Sequence, residues 1–134
     1  MAGSKSNYLE DKLNDHVLGN TSYSAPATTY IALYTAAPSD TGGGTEVTGG
    51  SYARASVTNN TTNWPNSSGG SKSNGTAINF TTASANWGTV VAFGIFDAST
   101  SGNLLYWADL TTSKAINTGD TATFAIGQIT VTED

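Results

Sequence analysis

Trp87 to Leu110, WGTVVAFGIFDASTSGNLLYWADL, is the stretch whose reading decides the fold. Two apolar runs flank a short polar turn, and two of the three tryptophans lie within it. Runs rich in β-branched and aromatic residues, separated by Asp, Ser, Gly and Asn, read as a pair of strands. Phe93, Ile95, Leu105 and Trp107 are the expected core residues here. The stretch contains no His, Cys or Lys, and its two acids, Asp97 and Asp109, stand twelve residues apart. It is scaffold rather than chemistry.

The same pattern extends in both directions. Residues 28–36, TTYIALYTA, read as a strand with Ile31 and Leu33 on one face and Tyr30, Ala32 and Tyr34 on the other. Residues 45–58 are strand material broken at Gly49–Gly50, where a bulge or tight bend is expected. Further strands are predicted over 76–82, 89–97, 103–110 and 121–132, with a turn at Asn117 to Asp120. Residues 6–18 form the one predicted helix: Leu9, Leu13 and Val17 recur at i, i+4, i+8. Ser6 or Asn7 can cap its start, and Gly19 is the expected left-handed stop. Residues 59–75 are a long polar loop with one large apolar group, Trp64. The expected fold is mainly β: a single domain over 1–134, an antiparallel β-sandwich or barrel of about seven to eight strands with one short N-terminal α-helix.

Composition removes several functions. Only 11% of residues are charged, against roughly a quarter in ordinary domains. The five bases (Lys5, Lys12, Arg54, Lys72, Lys114) are scattered and the net charge is −5, so no nucleic-acid partner is expected. No apolar run approaches a spanning helix and the first residues lack an apolar leader core, so neither a membrane nor a Sec signal is expected. There is no cysteine, hence no disulfide, no thiolate metal site and no Cys nucleophile.

No catalytic set emerges. The single histidine, His16, lies on the predicted helix with no partner nucleophile marked by spacing. Asp40, Glu46, Asp97, Asp109 and Asp120 show no spacing that selects a carboxylate pair. SDTGGGTE lacks the Lys-Ser/Thr ending of a phosphate loop. Loop acids beside Asn could coordinate calcium, but no acid-dense loop is present, and no metal and no cofactor are expected. Sequons such as those at Asn60, Asn66, Asn74 and Asn79 follow from a chain rich in Asn, Thr and Ser. Trp64, next to Pro65, either anchors a contact with a neighbouring subunit or a sugar or packs back on the sheet.

Two long segments carry a family resemblance. HVLGNTSYSAPATTYIALYTAAPSDTGGGTEVTGGSYARASVT and FTTASANWGTVVAFGIFDASTSGNLLYWADLTTSKAINTGDTATFAIGQITV together resemble a family of small tailed-phage virion proteins. The shared pattern is a short helix, a Leu-Gly stop, an APATxYxALYTxxP strand and an EVxGGSYAR segment, leaving out only the 59–75 loop. The resemblance implies a non-enzymatic virion structural protein, made in the host bacterial cytoplasm and built into the particle. Two placements are open. In the first, the chain is a capsid decoration (cement) protein, bound to the major capsid protein and to copies of itself as a trimer or dimer. Its shortness and lack of repeats favour this. In the second, it is a tail-fibre or tail-tip component contacting the host surface or a glycan, as such families are often labelled. The expected interface residues are Tyr8, Leu9 and Leu13 on the helix, unless that face packs within the chain itself, Arg54 paired with an acid of the partner, and Trp64.

Overall fold

The structure, a computed structural model, describes residues 2–133. Ten strands and one helix follow one another as β1 (Ala2–Lys5), α1 (Asn7–Val17), β2 (Thr28–Ala36), β3 (Thr45–Glu46), β4 (Ala55–Thr58), β5 (Ser71–Ser73), β6 (Ile78–Asn79), β7 (Gly88–Phe96), β8 (Leu104–Ile116), β9 (Thr123–Phe124) and β10 (Thr130–Thr132). The fold is mainly β and sandwich-like, as the sequence implies. The hairpin of β7 and β8 lies at its centre, with β2 antiparallel to β7 on the far side.

One sheet runs β3-β2-β7-β8-β1-β10-β5, with β4 also paired to β2, and β6 and β9 form a separate pair. The alternation read in 28–36 is real. Ile31 and Leu33 enter the main core with Phe93, Ile95 and Ala108. Ala32 and Tyr34 are buried on the opposite face with Ala92, Phe96 and Leu104. The main core closes where β6, β9 and the residues around them pack against β2 and β7. The Phe93 ring meets Phe124 edge-on at 5.7 Å, and Phe124 meets Phe80 at 6.2 Å. Gly50 shows why the break at 49–50 takes glycine. Its φ is +57°, and a Cβ there would lie 2.8 Å from Trp87 Nε1. The Trp87 indole donates to the Gly50 carbonyl at 2.9 Å.

Four features depart from the sequence reading. β1 was not expected: it joins the two parts of the sheet, antiparallel to β8 through Ser4 and Lys5 and parallel to β10 through Ala2 and Gly3. Its residues carry no apolar alternation because its role is backbone pairing. β8 runs on to Ile116, since the polar residues beyond Leu110 lie in solvent and are strand only by pairing with β7. The predicted 121–132 strand is two strands, split at Gly127, whose φ is +80°. The 59–75 loop contains a strand, β5, paired with β10.

The helix cap is Ser6 rather than Asn7, which is the first helical residue. Ser6 accepts from Leu9 N–H at 3.3 Å and donates through its hydroxyl to the Leu104 carbonyl, which ties the cap to the core hairpin. At the other end the left-handed residue is Asn20, with φ +55°, and not Gly19. Gly19 is still constrained, because a Cβ there would meet the Asp15 carbonyl oxygen at 2.9 Å.

Candidate functional site

Two concavities and one projecting apolar end stand out among the surfaces open to contact. The larger concavity, about 550 Å³, lies between the start of α1, the 40–44 glycine loop and the β7–β8 turn. Its floor is an ion pair. Arg54 donates from Nε and Nη2 to the two oxygens of Glu46 at 2.9 and 2.8 Å. Its Nη1 donates to the carbonyls of Ala98 and Ser101 at 2.9 and 2.8 Å, so the same guanidinium holds the β7–β8 turn. The guanidinium carbon lies 3.7 Å above the Phe96 ring. Tyr52 donates to Glu46 at 2.8 Å and accepts from the Leu33 N–H at 3.0 Å.

This network fixes its own protonation. Burial pushes the Glu46 carboxyl up, but the hydrogen bonds from Arg54 and Tyr52, with the Arg54 charge, outweigh it and hold the group below its ordinary value. Burial and the Glu46 charge push the Tyr34 hydroxyl up to about 12, against the opposing pull of Arg54. Burial likewise raises Tyr52. The network is thus one anion, one cation and two neutral phenols over the whole physiological range.

The rim of the cleft is polar and aromatic. Asp40 accepts from the Trp107 indole at 2.9 Å, and its carbonyl accepts from the Asn7 N–H at 2.9 Å, which fixes the loop against both β8 and the helix start. Asn103 donates to Asp97 from its backbone and side chain, closing the β7–β8 turn. Tyr8 is half-buried, with the Lys12 ammonium 5.7 Å from its ring centroid.

The second concavity, about 420 Å³, is apolar. Trp64, Ile95, Tyr106 and Val131 line it, and Asn60, Thr61 and Lys72 stand among the polar residues around them. Asn60 caps a turn with bonds from Thr62 and Asn63 N–H at 3.0 and 2.8 Å, and this turn presents Trp64.

The expected interface residues therefore divide. Tyr8 and Leu13 are half-buried on the helix, while Leu9 is buried beneath it. For Trp64 the sequence left two readings, an exposed anchor or packing back on the sheet, and the structure shows the second. The residue is only 8% exposed, because the indole is part of the main core, from which it also lines the apolar pocket. Arg54 was expected to seek an acid on a partner. Its side chain is 7% exposed and already bound to Glu46 and two carbonyls, so four of its five donors are in use. The cleft brings Tyr8 and Arg54 to one place, and Trp64 belongs to the other concavity.

Sequence reasoning missed Asp40 and Lys72 as lining residues and Asn74 as a buried hub. Asp40 and Lys72 look like ordinary surface residues in sequence. Asn74 resembles every other Asn in a polar loop, and only the partners that surround it, some fifty residues away, set it apart.

A family model described as "Podophage GP4 fiber I protein gp80" matches residues 4–132, nearly the full length of the chain. No curated protein matches it.

Proposed function

Because the chain belongs to the podophage GP4 fiber I protein gp80 family, we propose that it serves as a fibre component of a tailed-phage virion. The family is one of small virion structural proteins, and the chain is a structural protein of the phage particle. The observation that carries the finer placement is the fibre description of a family matched from residue 4 to residue 132. It supports the tail over the capsid-decoration placement that shortness alone favours, and with it other fibre chains over the major capsid protein as partners. The rigid β-core suits a component that bears load and acts by adhesion. Many weak contacts repeated along a particle multiply through avidity.

Immunogold labelling of purified virions, with copy number from quantitative mass spectrometry, tests the placement. Label on the tail with tens of copies is the expected result; label over the head with hundreds of copies would return the chain to capsid decoration.

The cleft beside the start of α1 suits a saccharide of the host surface. A half-buried Tyr8 ring stands next to Asp40, Asn103 and hydroxyl-bearing Thr41 and Ser101, the pairing of ring face with polar groups that sugars require. Tyr8→Ala is expected to weaken binding of the purified chain to host cells roughly three- to tenfold with an unchanged circular dichroism spectrum. Unchanged cell binding would remove the cleft from this role.

A further inference from the structure

The apolar stripe of α1 outruns the surface it docks on. Leu9, Leu13 and Val17 lie on one face, and along that face burial falls from the fully enclosed Leu9 through the half-buried Leu13 to Val17 at 73% exposure. Leu18, at the helix C-cap, is 86% exposed. Two adjacent aliphatic side chains thus project at the end of a helix whose other end is fixed to the core through Ser6 and Leu9. Single exposed apolar residues are ordinary; here Val17 continues the buried stripe and Leu18, beside it on the adjoining face, widens the uncovered apolar end.

The same molecule carries a receptacle. The Trp64 pocket is apolar, with room for both side chains, and Leu18 of its own chain does not fill it. Charge matches as well. Lys72 stands at the pocket, and among the described residues it is in no ion pair. Asp11, Asp15 and Leu18 share a stripe of α1 at i, i+4, i+7, so carboxylates accompany the projecting end. A knob flanked by acid and an apolar hole flanked by base are complementary surfaces on one chain.

We infer that the Val17–Leu18 end of α1 of one copy inserts into the Trp64 pocket of a second copy, with Asp15 facing Lys72. The choice of a second copy rests on this complementarity between two patches of one chain, and on the fibre reading. Knob and hole are different patches, so each bound copy can still offer one of the two to a further copy.

The absence of native cysteine gives a direct test. Full-length Leu18→Cys and Thr61→Cys, each carrying a different tag, are mixed and oxidised; Thr61 is exposed and lines the pocket. Mixed disulfide dimers well in excess of either homodimer are expected, and a statistical mixture would overturn the inference. Sedimentation equilibrium supplies the second measurement. Leu18→Asp should weaken self-association of the otherwise unchanged chain roughly ten- to hundredfold. Lys72→Glu should weaken it too, and Asp15→Lys added to Lys72→Glu should restore it. A wild-type chain that stays monomeric at high concentration, or association indifferent to Leu18→Asp, would sink the inference. Neither result touches the virion placement, which the labelling experiment decides by itself.

Discussion

Asn74→Ala is expected to destabilise the protein by about 3–5 kcal/mol and to lower Tm by roughly 10–20 °C. The side chain is fully buried and every polar atom in it is used. Nδ2 donates to the carbonyls of Thr76 and Ala125 at 2.9 and 3.0 Å, and Oδ1 accepts from the Ile129 N–H at 2.9 Å. The backbone adds bonds from Asn74 N–H to the Ile129 carbonyl and from Gly127 N–H to the Asn74 carbonyl. Asn74 therefore shapes the turn that separates β9 from β10. Truncation leaves the Ile129 N–H and the Thr76 carbonyl without partners, each costing ~1–3 kcal/mol, and leaves the Ala125 carbonyl with the Gln128 N–H alone; that loss is large against a total stability of about 5–15 kcal/mol. Asn74→Asp separates this account from simple loss of volume. It keeps the acceptor but turns an oxygen toward two carbonyl oxygens, so it should destabilise at least as much at neutral pH. Relative to wild type, the defect should ease at acid pH, where a protonated carboxyl can donate to one carbonyl. Urea unfolding of both variants at two pH values is the measurement. A Tm within a few degrees of wild type for Asn74→Ala would show that the hub does not organise the turn.

Arg54→Ala ranks next, with an expected loss of about 3–5 kcal/mol. Removing the guanidinium strips the partly buried Glu46 of its counter-charge, frees the carbonyls of Ala98 and Ser101 and uncovers the Phe96 ring. Lysine is a poor substitute, because one ammonium cannot replace a fork that binds both oxygens of Glu46 and two carbonyls at once. A double variant, Arg54→Met with Glu46→Gln, should be less destabilised than the two single losses added together, since it leaves no orphaned charge. Acid adds an independent readout. Glu46 is held below its ordinary value of 4.5, so its carboxylate contributes stability that is present above that value. The contribution is lost as pH falls through the depressed pKa of the folded state. Wild type should therefore show an acid limb below about pH 4.5 in urea unfolding that Arg54→Ala lacks. Parallel acid limbs in the two proteins would mean that the pair is not coupled in this way.

Much of the scaffold was legible because burial acts face by face. Ile31 and Leu33 alternate with Ala32 and Tyr34, and both sets are buried because β2 has a core on each side. The hairpin over 89–110 and the helix at 7–17 were likewise written in local periodicity. β1 and β5 were not, because each is a strand only through backbone bonds to distant partners, and Ser and Lys side chains give no period. The interface residues fared as their chemistry dictates. A lone Trp in a polar loop and a lone Arg on a strand look like free anchors in one dimension, yet the folded chain satisfies both.

Sequence by itself determined the class of fold, the central hairpin, the amphipathic helix and, through motifs spread along nearly the whole chain, the kinship with phage virion proteins. Tertiary structure alone decided that Trp64 lies in the core, that Arg54 is bound to Glu46, that Asn74 is a hub, and that Val17 and Leu18 are left uncovered. The physical reason is range. Apolar periodicity is a property of neighbours three or four residues apart, whereas a buried polar group must find partners wherever the fold brings them, and an exposed apolar one is defined by what the fold fails to bring.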